Sequence, residues 1–172
     1  MSKKVVLAFS GGLDTSFCVP YLKEQGYEVH TVMVNTGGFS EEEEKAIEAR
    51  ALHLGAASHK NVNAVDTYYS KGIKYLIYGN ILKNATYPLS VSSERVFQAL
   101  EVLKHVKEIG ADAVAHGSTG AGNDQVRFDI VFEVLAPGVE IIAPVRENCF
   151  TRQYEIDFLQ KHGFDFSWEK AR

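Results

Sequence analysis

Cysteine is almost missing from this chain. Cys18 and Cys149 are the only two thiols in 172 residues. They sit in no CxxC pattern and beside no Cys/His cluster, so the sequence predicts free thiols and excludes a disulfide framework or a zinc site. Other metal ligands are no better grouped: His53 and His59 are six apart, a poor spacing for one helical face, and read as surface residues. Proline is scarce too, at four residues, and no Ser/Pro linker, internal repeat or low-complexity stretch divides the chain, which favours one domain spanning residues 1–172. No apolar run approaches membrane-spanning length, and the N-terminus lacks a signal peptide's apolar stretch and cleavage site. The expectation is a cytoplasmic protein with no membrane partner. Positive charge is not in excess either: a net charge of −4 gives no electrostatic basis for binding nucleic acid. Hydrophobic residues at 45% and charged residues at 23% are globular averages. Function must therefore be argued from local patterns.

The first pattern is VVLAFSGGLDTSFC, Val5 to Cys18. Val5 to Phe9 is a short continuous apolar run, as in a strand buried on both faces. Gly11 and Gly12 stop it, and Leu13, Phe17, Pro20, Tyr21 and Leu22 follow at helical spacing, with Pro20 expected to kink the helix. A plain strand-to-helix turn capped by Asp14, Thr15 and Ser16 would explain this much. The sharper reading is an anion cradle: bare loop and helix-start amides, the positive end of the helix dipole, and the hydroxyls of Ser10, Thr15 and Ser16 converge there. It is not a Walker loop, since GxxxxGK[ST] is absent and no lysine stands where it would reach a β- or γ-phosphate. Asp14 repels phosphate, which leaves it two roles: holding the helix start, or helping to hold a magnesium ion.

Strand and helix signals alternate onward. Tyr27 to Val34 reads as a strand, Ser40 opens a helix toward Leu54 with capping-box spacing to Glu43, and Ser58 to Val65 is a weaker strand. Asp66 to Tyr78 reads as helix, with Tyr68, Ile73, Leu76 and Ile77 as core contributors, and Gly79 to Pro88 as an ordered loop. Ser92, Ser93 and Glu94 open a helix that ends at Gly110. Ala111 to Ala115 is a strand, followed by the loop HGSTGAGNDQ. Val126 to Leu135 alternates like a strand, yet Asn123 and Asp124 look like a helix start. Because Val139 to Val145 is another buried strand and parallel strands need a crossover, a helix is the economical answer. Thr151 to His162 is a last helix. The alternation predicts an α/β fold, an open and mostly parallel three-layer sheet of Rossmann-like type with helices on both faces, and both glycine-rich loops leave strands at the carboxyl edge where such sheets bind ligands.

In the second loop, Gly120-Ala-Gly122 lacks the third glycine of a dinucleotide fingerprint. If the segment after it is helical, Arg127 shares a stripe with Ile130 and Val134, the side expected to face inward. An inward arginine needs a counter-charge, either a nearby Asp or Glu or the carboxylate of a small ligand; the position of the helix start at the crevice favours the ligand. Thr119, Asn123 and Asp124 supply a donor, an amide and a carboxylate suited to an amino acid.

SGGLDTS after a first strand resembles the phosphate loop of N-type ATP pyrophosphatases (adenine nucleotide alpha hydrolase-like proteins). GSTGAGNDQVRF, Gly117 to Phe128, and TYPLSVSSER, Thr86 to Arg95, are similar to the aspartate- and citrulline-binding segments of argininosuccinate synthases. Pro88, Val91 and Ala121 depart from the pattern. The resemblance implies that Ala8, Phe9, Ser10, Gly11, Gly12, Leu13, Asp14, Thr15, Ser16, Val34 and Gly117 contact ATP. It implies that Tyr87, Ser92, Asn123 and Arg127 bind citrulline, and that Thr119, Asn123 and Asp124 bind aspartate. Magnesium would accompany ATP, with no protein ligand to it assigned. The implied reaction is a C–N ligation in arginine biosynthesis that passes through a citrullyl-adenylate and releases pyrophosphate and AMP. It rests on positioning and electrostatics, with no covalent nucleophile or general base to name. In that family a second domain, outside this chain, completes the citrulline site and builds a homotetramer. The rival readings are another ATP pyrophosphatase, such as a tRNA thiolation enzyme, and a nucleotide-binding module without catalysis. A thiolation enzyme is expected to use catalytic cysteines and a basic RNA surface, and neither is evident.

Overall fold

The structure, a computed structural model, describes residues 2–166. Strand β1 (Lys4–Ala8) leads into helix α1 (Leu13–Glu24), β2 (Glu28–Asn35), α2 (Glu41–His53) and β3 (Ser58–Asn63). A helical run comes next, from α3 (Val65–Tyr68) through a π-helical turn (Tyr69–Ile73) to α4 (Lys74–Tyr78). Two short strands, β4 (Leu82–Lys83) and β5 (Tyr87–Pro88), pair antiparallel as a small separate sheet. The chain continues as α5 (Ser90–Ile109), β6 (Ala113–His116), α6 (Asp124–Leu135), β7 (Glu140–Ile142), α7 (Pro144–Glu147) and α8 (Arg152–Lys161).

The main sheet has the order β3-β2-β1-β6-β7, and every pairing in it is parallel. Its apolar strands are buried from both sides because successive residues point to opposite faces. Val5 and Leu7 pack with α1, α2 and α8, whereas Val6 packs with α5 and α6. All three of these β1 residues are fully buried. The strand order reverses at β1, which sends its chain to β2 on one side and borders β6 on the other. That reversal opens a crevice beyond the carboxyl ends of β1 and β6.

A ring cluster ties α1 to α8. Phe17 lies 5.0 Å from Phe158, 5.3 Å from Phe150 and 5.3 Å from Tyr21, centroid to centroid. Truncating a buried phenylalanine to alanine costs about 3–5 kcal/mol, so this cluster is what holds α8 under the first helix.

Several sequence expectations are corrected here. Helix α1 runs on through Pro20 without interruption. The expected core residues of Asp66 to Tyr78 divide: Tyr68 is buried, but Ile77 is 62% exposed, because the π turn inserts a residue and rotates the succeeding turn off the inward face. Strand β7 is shorter than Val139 to Val145, since Pro144 opens α7 instead, a position that suits its fixed φ and missing N–H. Helix α5 starts two residues before Ser92. His59 is not a plain surface residue: its Nδ1 lies 2.8 Å from the Thr31 hydroxyl and its ring packs edge-on against Phe9. The ambiguous stretch after Asn123 is a helix, as topology requires.

Candidate active site

The loop after β1 is built around two glycines with different jobs. Gly11 has φ +75, its carbonyl accepts a hydrogen bond from the Arg50 guanidinium, and a Cβ there would come within 3.0 Å of Ile47. Its need for glycine is conformational. Gly12 has an ordinary φ and only the Ser10 hydroxyl near its missing Cβ, at 3.5 Å. Gly12 is also the N-cap of α1, and no side chain caps that helix. The first-turn amides therefore face the crevice with the positive end of the helix dipole behind them. Thr15 knits the loop together, its Oγ1 donating to the Gly12 carbonyl at 3.3 Å and accepting from the Ser10 N–H at 3.4 Å.

A cleft of about 650 Å³ lies over this loop, and Ala8, Phe9, Ser10, Gly12, Leu13, Asp14 and Thr15 all line it. Two residues read with them do not. Gly11 lies behind the turn, and Ser16 is fully buried with its Oγ lacking a hydrogen-bond partner. Ser16 thus belongs to the core side of α1 and adds no hydroxyl to the cradle, because it shares a face with the buried Leu13 and Pro20, three positions before it and four after. Val34 lines the cleft from β2.

The second loop closes on the first. A Cβ at Gly117 would sit 3.1 Å from the Thr15 amide nitrogen and 3.1 Å from the Asp14 carbonyl carbon. Only a glycine lets the two loops meet there. His116, fully enclosed at the end of β6, shapes the approach: its Nε2 donates to Asp129 at 2.9 Å, its Nδ1 accepts from the Ser118 N–H at 3.2 Å, and Asp129 is paired in turn with Arg146. Burial pushes the imidazole pKa below its usual range, against the opposing pull of Asp129. Both ring nitrogens are committed in a way that only the neutral ring allows.

Thr119 and Asp124 line the same cleft. Asp124 is bridged by two arginines, Arg95 Nε at 3.1 Å and Arg127 at 2.5 Å. The contact corrects the reading of Arg127. The buried face of α6 is Phe128, Val131 and Phe132, while Ile130 and Val134 are 56% and 68% exposed. Arg127 points away from the core and already holds a counter-charge one turn back. It also lines a separate hollow of about 430 Å³ with Tyr87, Ser92 and Asn123. Four residues named from two distant segments of sequence thus surround one cavity.

Sequence reasoning missed Arg95, His116, Arg152 and Glu155. Arg95 ends a quoted motif, yet no spacing rule ties it to Asp124, 29 positions away. Arg152 enters the cleft from α8. Glu155 lies beneath it, its side chain hydrogen-bonded to the Asp14 carboxyl. Among the described residues there is no group of three or more His, Cys, Asp or Glu that could hold a metal ion. Nor is any helix among them long and apolar enough to cross a membrane.

Comparison with known proteins gives a consistent result. Residues 4–165 match the family model described as the arginosuccinate synthase N-terminal HUP domain. The argininosuccinate synthase of Xylella fastidiosa is 48% identical over 167 residues, covering 95% of this chain and 41% of the relative. That of Pyrobaculum aerophilum is 43% identical over 172 residues, covering 99% and 43%. The chain thus spans about two fifths of the length of the curated relatives it matches. A solved structure described as a predicted subunit of tRNA methyltransferase from Methanocaldococcus jannaschii superposes with a TM-score of 0.56 at 19% identity, covering 92% of this chain and 76% of that one. At that identity the likeness concerns the fold alone.

Proposed function

The chain belongs to the argininosuccinate synthase family, as its N-terminal domain, and from that premise we propose that it forms the ATP-binding half of a cytoplasmic, tetrameric ligase joining citrulline to aspartate. The observation that carries this reading is the meeting of two glycine loops at the sheet's reversal point, with the Tyr87–Arg127 hollow alongside. A cleft of about 650 Å³ has the size of a nucleotide site. ATP lies with its phosphates on the open amides of Leu13 to Thr15, and magnesium arrives with the nucleotide as part of the substrate, neutralising the phosphate oxygens.

Citrulline occupies the smaller hollow, its carboxylate toward Arg127 and its ureido oxygen toward the α-phosphate. Attack by that oxygen releases pyrophosphate, whose charge the helix start stabilises. Aspartate is held by Thr119, Asn123 and Asp124, and its amine displaces AMP. His116, as the neutral tautomer, keeps the second loop in place through Ser118. The residues contribute position and charge, and no step requires a covalent intermediate on the protein.

Titration calorimetry with ATP and magnesium, then a pyrophosphate assay on adding citrulline and aspartate, tests the reading. ATP binding with pyrophosphate release supports it. Binding without release supports the second reading, a nucleotide-binding module. No ATP binding at all removes both.

A further inference from the structure

Helix α8 carries a carboxyl group where a helix docked on an aromatic cluster should have none. Glu155 is 1% exposed and sits in the first turn of α8, against α1. Its Oε2 meets no donor. A carboxylate in a first helical turn is ordinarily favoured in its charged form, but a buried one short of donors is costly. Its neighbour is the Asp14 carboxyl, with which it makes a side-chain hydrogen bond. Two carboxyl groups can bond in this way only through a proton that one of them holds.

Burial, then the charge of Asp14, raise the Glu155 pKa to about 8 against the pull of Arg152. The pair therefore shares one proton at neutral pH, and Glu155, 1% exposed beside the half-buried Asp14, is the member whose charge burial opposes more. The Cys18 thiol, the other titratable group facing it from α1, is itself raised well above its usual value by burial, then by Glu155 and Asp14, and stays protonated.

We propose that Glu155 is a positioning residue for the nucleotide loop: its protonated carboxyl donates to Asp14 from beneath α1, fixes the first turn of that helix against Gly117, and keeps a second negative charge away from the phosphate site. The role deepens the ATP-binding reading and rests on it. The proton is held throughout and is not consumed. Loss of it places two like charges side by side under the amides that receive phosphate, which opposes a polyanionic ligand.

The test compares the chain with Glu155→Gln, which keeps a donor and cannot ionise. Carbon-13 NMR of side-chain-labelled glutamate should show one carboxyl titrating near pH 8, absent from Glu155→Gln; if every glutamate titrates below pH 6, the proposal fails. Affinity for magnesium ATP should weaken on the order of tenfold from pH 7 to pH 9 in the wild type relative to Glu155→Gln. Parallel curves would overturn the positioning role. Glu155→Ala, where it folds by circular dichroism, should lose affinity at every pH, and equal affinity in that folded variant counts against the proposal. If the chain binds no ATP at any pH, the ATP reading itself is wrong. The amide resonances of Ser10 to Ser16 then decide: movement through pH 8 in the wild type alone sustains the coupling of Glu155 to the loop, and stillness ends it.

Discussion

Helices α1 and α2 begin at the same edge of the sheet, after adjacent parallel strands, and solve the same chemical problem in opposite ways. Each starts with amides that have no partner inside the helix. At α2, Ser40 caps the Glu43 amide and Glu43 reaches back to the Ser40 N–H at 2.8 Å, with Glu41 to Glu44 stacked against the dipole. That start is electrically and sterically complete. At α1 the cap is a glycine, no side chain closes the turn, and the one acidic residue, Asp14, is tied to Glu155 below. The same local geometry serves stability where side chains satisfy it and, in the function proposed above, binding where they leave it open.

Closing the open start should have the largest effect. In Gly12→Val a Cβ meets only the Ser10 hydroxyl, at 3.5 Å, and the backbone φ is ordinary, so circular dichroism and melting temperature should stay close to wild type. ATP affinity measured by calorimetry should fall on the order of a hundredfold, about 2.7 kcal/mol. Unchanged affinity in a folded variant would show that the two helix starts do not differ in function. Next comes α6, whose start also lacks a side-chain cap and faces the hollow. Arg127→Ala should weaken citrulline binding about tenfold while ATP affinity changes by less than about twofold; equal losses would mean that the Asp124 pair is purely structural.

The capped start gives the reverse pattern. Ser40→Ala should cost about 1 kcal/mol of stability by urea unfolding and leave ATP affinity unaltered. The smallest effect concerns His116, whose pKa is lowered on folding from an ordinary value of 6.5. The unfolded chain takes up its proton first, so this stability is present above pH 6.5 and is lost as pH falls through the folded value. Melting temperature should drop by a few degrees more in the wild type than in His116→Gln between pH 7 and pH 5.

Both glycine loops, the parallel sheet and the capping box were legible because each rests on neighbours in sequence: apolar runs, a Gly-Gly stop, a Ser three residues before a Glu. The inward face of α6 was misread. The alternation of apolar residues from Val126 to Val134 leaves Val126, Ile130 and Val134 all near half exposed or more, and periodicity alone does not say which stripe meets the sheet. Ser16 went astray for a similar reason, as hydroxyl content does not reveal which side of a helix a residue occupies.

Sequence by itself determined the alternating strand and helix order, the two glycine-rich loops and the family, since these follow from short-range pattern and from the backbone freedom that glycine alone has. Only the tertiary structure decided that Asp14 answers to Glu155, that Asp124 is shared by Arg95 and Arg127, and that Gly117 touches Thr15. Apart from the Asp124–Arg127 pair within α6, those contacts join residues far apart in the chain, and they exist because packing brings the carboxyl edges of β1 and β6 and the starts of α5 and α8 to one place.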